Sequence, residues 1–238
     1  TSKEVIAKTT GIDAFIDGHS HSTIASEIVK NKEGKDVTLS STGTKLAAIG
    51  ELVISGGKIS TSLITNYEAK DATVDEFIKE VNDKVSALTK KVIGKSAVNL
   101  TTMEADGKTR AIRNQETNLG DFCADAYKYA ANADIGFIQG GGIRANINAG
   151  DITYGDMLAV HPWGSMLCKI EVTGQQVLDA LEFATRNTPD EVGGFLQVSG
   201  ITFDIDTTVP STVKTDDNKM YVSVEGARRV LNVKVNGV

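Results

Sequence analysis

Four short stretches of this chain have residue types and spacings that chemistry requires. Gly18-His19-Ser20-His21 follows an apolar run, Ile12 to Ile16, and holds two of the three histidines. The run predicts a short buried strand, which puts the imidazoles on the turn at its end. Imidazoles at i and i+2 in extended or turning backbone can converge on one cation or on two adjacent cations, and neutral imidazole is the commonest ligand for zinc and similar metals. A solvated turn fits the same four residues. Arg113 stands just ahead of a predicted helix that Thr117 or Asn118 can cap. Backbone N–H groups and the helix dipole already favour an anion there. Gln139-Gly140-Gly141-Gly142-Ile143-Arg144 follows a buried run. Its glycines allow close backbone approach, and Arg144 offers a planar fork for phosphate. His161-Pro162-Trp163-Gly164 presents the only tryptophan, an aromatic face suited to stacking on a flat base or sugar.

Each stretch also has a plain structural reading. Arg113 can be a surface charge, the glycines a strand-to-loop turn, and Trp163 a core residue. His161, before Pro162, reads as structural or solvent-facing. The glycine stretch is neither a Walker loop, since no Gly-Lys-Ser/Thr follows, nor a Rossmann fingerprint. In this order and at these separations the set is far more specific than any member.

The elements that must position these residues are readable from periodicity. After the His turn come runs at Val37 to Ser41, Leu46 to Ser55 and Lys58 to Thr65, the last two split by Gly56-Gly57 as in a hairpin. Val74, Phe77, Ile78, Val81, Val85, Leu88 and Val92 have helical spacing, and Thr73-x-x-Glu76 reads as a capping box, so a packed connector helix is predicted over 73–92. A short strand is expected near Ala97 to Leu100, then loop to about Arg110. Further on, the pattern predicts a helix from Asn118 to Ala131, a strand from Asp134 to Ile138, a segment Tyr154 to Val160, and a strand Met166 to Val172. A helix capped by Thr173 and strands at Phe195 to Ile205 and Val230 to Val235 complete it. The fold class is α/β to α+β.

Composition narrows the partners. With 25 Lys+Arg against 31 Asp+Glu and a formal net charge of −6, the chain does not suit polymeric nucleic acid. A small nucleotide needs only two or three cations in a cleft. No stretch reads as a membrane span, and no basic-then-apolar leader opens the sequence. Cys123, in a predicted helix, and Cys168, in a predicted strand, are expected to be buried free thiols. The last residues, Asn236-Gly237-Val238, read as a hairpin turn without its returning strand, and the first strands as the tail of a larger sheet. The chain is therefore expected to be part of a longer protein, with an exposed sheet edge through which copies can self-associate.

The order of these motifs closely resembles the 5′-nucleotidase family, which includes ecto-5′-nucleotidases and UDP-sugar hydrolases. The residues that carry it are Gln115-Glu116-Thr117-Asn118-Leu119-Gly120-Asp121, Gly140-Gly141-Gly142-Ile143-Arg144, Gly150-Asp151-Ile152-Thr153 and Pro162-Trp163-Gly164. Gly-His-x-His after a strand resembles the last metal-ligand motif of calcineurin-like metallophosphoesterases. The resemblance implies three parts: residues 1–66 as the end of a metallophosphoesterase β-sandwich, 67–93 as connector helix, and 94–238 as a mixed-sheet, substrate-binding carboxy-terminal domain. It implies His19 and His21 as metal ligands and Arg113, Gln139, Arg144 and Trp163 as substrate-binding residues, with no catalytic residue of its own in this stretch. Gln139 falls where the family often has Asn or Ser, and Trp163 where it usually has Phe, so base preference stays open. The implied whole protein is a hydrolase of nucleoside 5′-monophosphates that uses two divalent ions, zinc or manganese, in an extracellular, cell-surface or periplasmic setting. This stretch alone is expected to be inactive, since two histidines cannot hold two ions. UDP-sugar or 2′,3′-cyclic nucleotide hydrolysis, and a non-catalytic nucleotide-binding or surface interaction module, are the alternatives.

Overall fold

A computed structural model describes residues 1–238. They divide into two compact units, Thr1–Lys79 and Glu80–Val238. In the first, Thr1 caps helix α1 (Ser2–Lys8) through a reciprocal capping box with Glu4. This short helix, not anticipated from the sequence, supplies fully buried Ile6 to a core with Val37 and Leu39. Strands β1 (Ala14–Asp17), β2 (Thr23–Lys30) and β3 (Asp36–Thr42) form one sheet in the order β1-β3-β2. The pairing is parallel between β1 and β3 and antiparallel between β2 and β3. Strand β3 lies in the middle and is buried on both faces, Val37 and Leu39 in the core and Ser40 Oγ donating to Ile24 O and Ala25 O. Strands β4 (Ile49–Ser55) and β5 (Lys58–Ile64) make the expected hairpin. Gly56 and Gly57 turn it at φ of 56° and 73°, which L-residues with a Cβ rarely adopt.

Helix α2 (Ala72–Thr89) runs across the unit boundary. Asp71, rather than Thr73, satisfies its first N–H groups, accepting from the amides of Thr73 and Val74 at 3.0 Å each. Its amphipathic spacing is real, yet none of its residues is buried. Periodicity fixes which face is apolar, not whether anything covers it.

The second unit contains β6 (Val92–Ser96), α3 (Asn118–Ala131), β7 (Gly136–Gln139), β8 (Gly150–Thr153), α4 (Tyr154–Val160), α5 (Gly174–Thr185), β9 (Leu196–Ser199), β10 (Ile201–Ile205), β11 (Val213–Thr215), β12 (Tyr221–Val224) and β13 (Val230–Val235). The strands pair only two by two, all antiparallel: β6 with β8, β7 with β9, β10 with β13 and β11 with β12. The mixed sheet expected here is thus in the first unit. Leu119, Cys123 and Ala124 of α3 pack with Ile112, Ile138, Ile143, Ile147 and Val160 in the main core. Val177 and Leu181 of α5 pack with Ile201 and Val230 in a second.

Other expectations need correction. Met166–Val172 is not a strand: no neighbouring strand pairs with it, and all of its residues are exposed, Met166 and Ile170 among them. Cys168 is accordingly exposed, whereas Cys123 is buried as expected. The single run at 195–205 is two strands, split at Gly200 with φ of 76°. The strand placed near Ala97–Leu100 lies earlier, at β6, leaving one isolated bridge from Leu100 to Ile147.

Candidate functional site

Strand β7 ends at Gln139, and the three glycines that follow form one 3-10 turn. The smallness of the first two is required by close approach rather than by φ. A Cβ on Gly140 would lie 1.9 Å from the carbonyl oxygen of Ile112, and one on Gly141 would lie 2.7 Å from that of Gly193. The turn is therefore wedged between the loop that carries Arg113 and the 189–195 segment. Gly140 N–H donates to Phe195 O at 2.7 Å, and Gly141 N–H donates to Gly193 O at 2.9 Å.

Arg144 leaves this turn with its backbone N–H on Val160 O at 3.0 Å. Its Nη1 reaches back to Gly141 O at 3.1 Å, and its guanidinium lies 6.0 Å from the centre of the Trp163 ring. That is the outer limit of a cation–π contact. Trp163 is 67% exposed, so it is no core residue. Gln139 is exposed, with its side chain alongside Gly142.

Arg113 lies on the loop before α3, whose first turn Thr117 caps by accepting from Gly120 N–H at 3.1 Å. The Nε of Arg113 is buried and has no hydrogen-bond partner. Burial, with the like charges of Arg110 and Arg144 nearby, holds its pKa below the usual arginine value, and Glu191 partly offsets this. A buried unpaired N–H costs about 1–3 kcal/mol, and an anion would relieve that cost.

Three contributors were not legible from the sequence. Arg110 forms a two-pronged ion pair with Glu191, Nε to Oε1 at 2.8 Å and Nη2 to Oε2. This bond, chiefly, lowers the Glu191 carboxyl and raises Arg110. The pair spans 81 positions, so no local pattern shows it. Gln197, on β9, is 2% exposed and ties down the Arg113 loop. It accepts from Thr117 N–H at 3.0 Å and donates to Ile112 O at 3.1 Å and Gln115 O at 2.6 Å. A glutamine at an inward strand position was the one available signal. His161 ends α4, with its ring 5.8 Å from Tyr127 and its pKa lowered by burial.

The structure thus brings Arg113, Gln139, Arg144 and Trp163 onto adjoining loops of the second unit. His19 and His21 belong to the first. Both are exposed, and both have left-handed backbone, φ 65° and 61°. The carboxylate of Asp17 accepts from Ser2 Oγ at 2.7 Å and Ser20 Oγ at 3.1 Å. No three His, Cys, Asp or Glu side chains are grouped to hold an ion. A two-ion centre needs bridging carboxylate and further ligands, so the residues present do not fit one.

Comparison with known proteins bears on the same loops. The family described as 5′-nucleotidase, C-terminal domain, matches residues 92–238. This chain belongs to that family. The trifunctional nucleotide phosphoesterase protein YfkN of Bacillus subtilis is 35% identical over 218 residues, covering 84% of this chain and 14% of that protein. A 5′-nucleotidase of Vibrio parahaemolyticus is 38% identical over 154 residues, covering 63% and 26% respectively. Among solved structures, a 5′-nucleotidase precursor from Thermus thermophilus superposes with a TM-score of 0.71 at 26% identity, over 97% of this chain and 50% of that one. The chain therefore spans 14% and 26% of these two sequence relatives and half of the structural one. The 5′-nucleotidase C-terminal domain, with its small sheets and mixed α/β build, is the part that carries Arg113, the glycine turn, Arg144 and Trp163.

Proposed function

We propose that this chain supplies the substrate-holding loops of a nucleotide phosphohydrolase, and that the substrate is a nucleoside 5′-monophosphate or a close relative. The observation that carries the reading is the buried, partnerless Nε of Arg113, close enough to Arg144 to feel its charge, with Arg144 itself beside an exposed Trp163 ring. The arginines hold the anionic phosphate and ribose end with charge-assisted hydrogen bonds, Trp163 stacks on the base, and Gln139 lies where a base edge can be met. The work of these residues is to bind and orient. The names of the relatives, a nucleotide phosphoesterase and a 5′-nucleotidase, agree with this chemistry.

In the whole protein the reaction is hydrolysis of the phosphate ester, giving nucleoside and phosphate, in an extracellular, cell-surface or periplasmic setting. Divalent ions, zinc or manganese, belong to that reading through the family resemblance. His19 and His21 would serve them only beside ligands that this chain does not group together. For the same reason residues 1–238 alone bind nucleotide without hydrolysing it. No helix is long and apolar enough to cross a membrane.

The single tryptophan makes the test direct. AMP, adenosine and inorganic phosphate are titrated while Trp163 fluorescence is followed, at low and high salt. AMP is expected to bind more tightly than either part, with an affinity that falls as salt rises and is lost in Arg144→Ala. Equal responses to AMP and adenosine, unaffected by Arg144→Ala, would overturn the assignment. Hydrolysis of AMP by the purified chain with zinc or manganese would overturn the expectation of binding alone.

A further inference from the structure

We propose that Arg110 and Glu191 are positioning residues of this site: their ion pair fixes the 189–195 segment, which in turn sets where Arg113 and the glycine turn stand. The inference rests on the nucleotide-binding reading above. The 189–195 segment touches both anion-holding loops through backbone. Val192 N–H donates to Arg113 O at 3.1 Å, Asn114 Nδ2 donates to Pro189 O at 2.9 Å, and Gly193 O and Phe195 O accept from Gly141 and Gly140. Between Asp190 and Phe195 the sequence is Glu191-Val192-Gly193-Gly194. Two consecutive glycines have no side chains with which to hold a loop, and glycine loses the most conformational freedom on ordering. Buried Phe195 anchors the far end of the segment; ahead of the two glycines the polar side-chain anchor is Glu191, clamped by the Arg110 fork. Both partners are partly exposed, at 45% and 35% of the side chain. Solvent makes such a pair worth little to global stability. Its contribution is geometric: a planar fork fixes direction as well as distance.

Charge and geometry predict opposite results for one substitution, which makes the proposal testable. Arg110→Ala removes a positive charge from the site, and Glu191→Gln removes a negative one. If the pair acts only through the field, the first weakens AMP binding and the second tightens it. If the pair positions the loops, both weaken it, by about three- to tenfold in the Trp163 fluorescence titration. The exchanged pair, Arg110→Glu with Glu191→Arg, then restores most of the affinity, because the tie is rebuilt with its ends reversed. Tighter binding in Glu191→Gln, or no recovery in the exchanged pair, overturns the proposal.

Amide hydrogen exchange at Gly141 and Val192 supplies a measurement that needs no nucleotide. Exchange at both is expected to speed up at least tenfold in Arg110→Ala and to stay unchanged in Trp163→Phe. Unchanged exchange in Arg110→Ala overturns the proposal whatever the binding data show. Failure of the wild-type chain to bind AMP, with accelerated exchange in Arg110→Ala, would overturn the nucleotide reading while the tie itself stands.

Discussion

Replacing Arg113 by Met should weaken nucleotide binding and at the same time stabilise the unliganded chain. Met keeps most of the aliphatic stem and removes the guanidinium. The guanidinium is unfavourable in the empty site for two reasons on the structure: Nε is buried without a partner, and Arg110 and Arg144 repel it. An unsatisfied buried donor costs about 1–3 kcal/mol. Arg113 is only part-buried and Glu191 offsets some of the repulsion, so the gain should be near the lower figure, about 1 kcal/mol. For a chain of this size that corresponds to a rise of about 2–4 °C in the unfolding midpoint. Bound phosphate reverses the balance, because the same guanidinium then makes charge-assisted hydrogen bonds whose loss costs about 1.5–3 kcal/mol. AMP affinity should therefore fall by about ten- to 150-fold, at 1.4 kcal/mol per factor of ten. Thermal unfolding without ligand and the Trp163 fluorescence titration give the two numbers. A variant that is less stable than wild type, yet binds AMP within twofold of it, would refute the reasoning at both steps.

Three further outcomes follow from particular contacts. Trp163→Phe keeps an aromatic face, so AMP affinity should change by less than about 1.5 kcal/mol; since the variant lacks the only tryptophan, calorimetric titration with purine and pyrimidine monophosphates should show the larger effect in the preference among them. Gly140→Ala should destabilise the second unit by at least about 2 kcal/mol, since the new Cβ would meet Ile112 O at 1.9 Å and backbone cannot yield cheaply; a urea midpoint equal to wild type would contradict it. Burial, with Glu116 and Asp125 nearby, raises Asp121 from its ordinary 3.8 to about 6. Its protonated form therefore favours the folded state, a contribution complete below about pH 4 and lost as pH rises through 6. Asp121→Asn should leave stability near pH 4 little changed and increase it at pH 7, by urea unfolding at both pH values; the opposite trend would refute the sign.

The family of this chain was legible in its sequence because the motifs are local. A capped helix start at Thr117, a strand running into three glycines, and a Pro-Trp-Gly loop each declare themselves within a few residues. Their order along the chain survives any error in the elements between them. The same locality explains why α3, α5 and the β4–β5 hairpin were readable: a cap, a period of 3.6 and a pair of left-handed glycines are properties of short segments. Met166–Val172 shows the limit. Its alternation reads as a strand with two faces, but a strand exists only when another pairs with it, and here every residue is exposed. Helix α2 shows the same limit for packing, since its apolar face is written in the sequence and what covers a face is not.

At the candidate site, sequence alone determined the residue types: two arginines, a glycine turn and one aromatic, suited to an anion attached to a flat ring. Tertiary structure decided what surrounds them. Only the fold brings Glu191 to Arg110, lays the 189–195 segment against the Arg113 loop and the glycine turn, and leaves the Nε of Arg113 buried and alone. It also decided that His19 and His21 stand exposed, with no third ligand grouped beside them. The physical reason is separation along the chain. A hydrogen bond or a burial cost depends on distance in space, and residues 81 positions apart leave no periodicity or spacing that records their meeting.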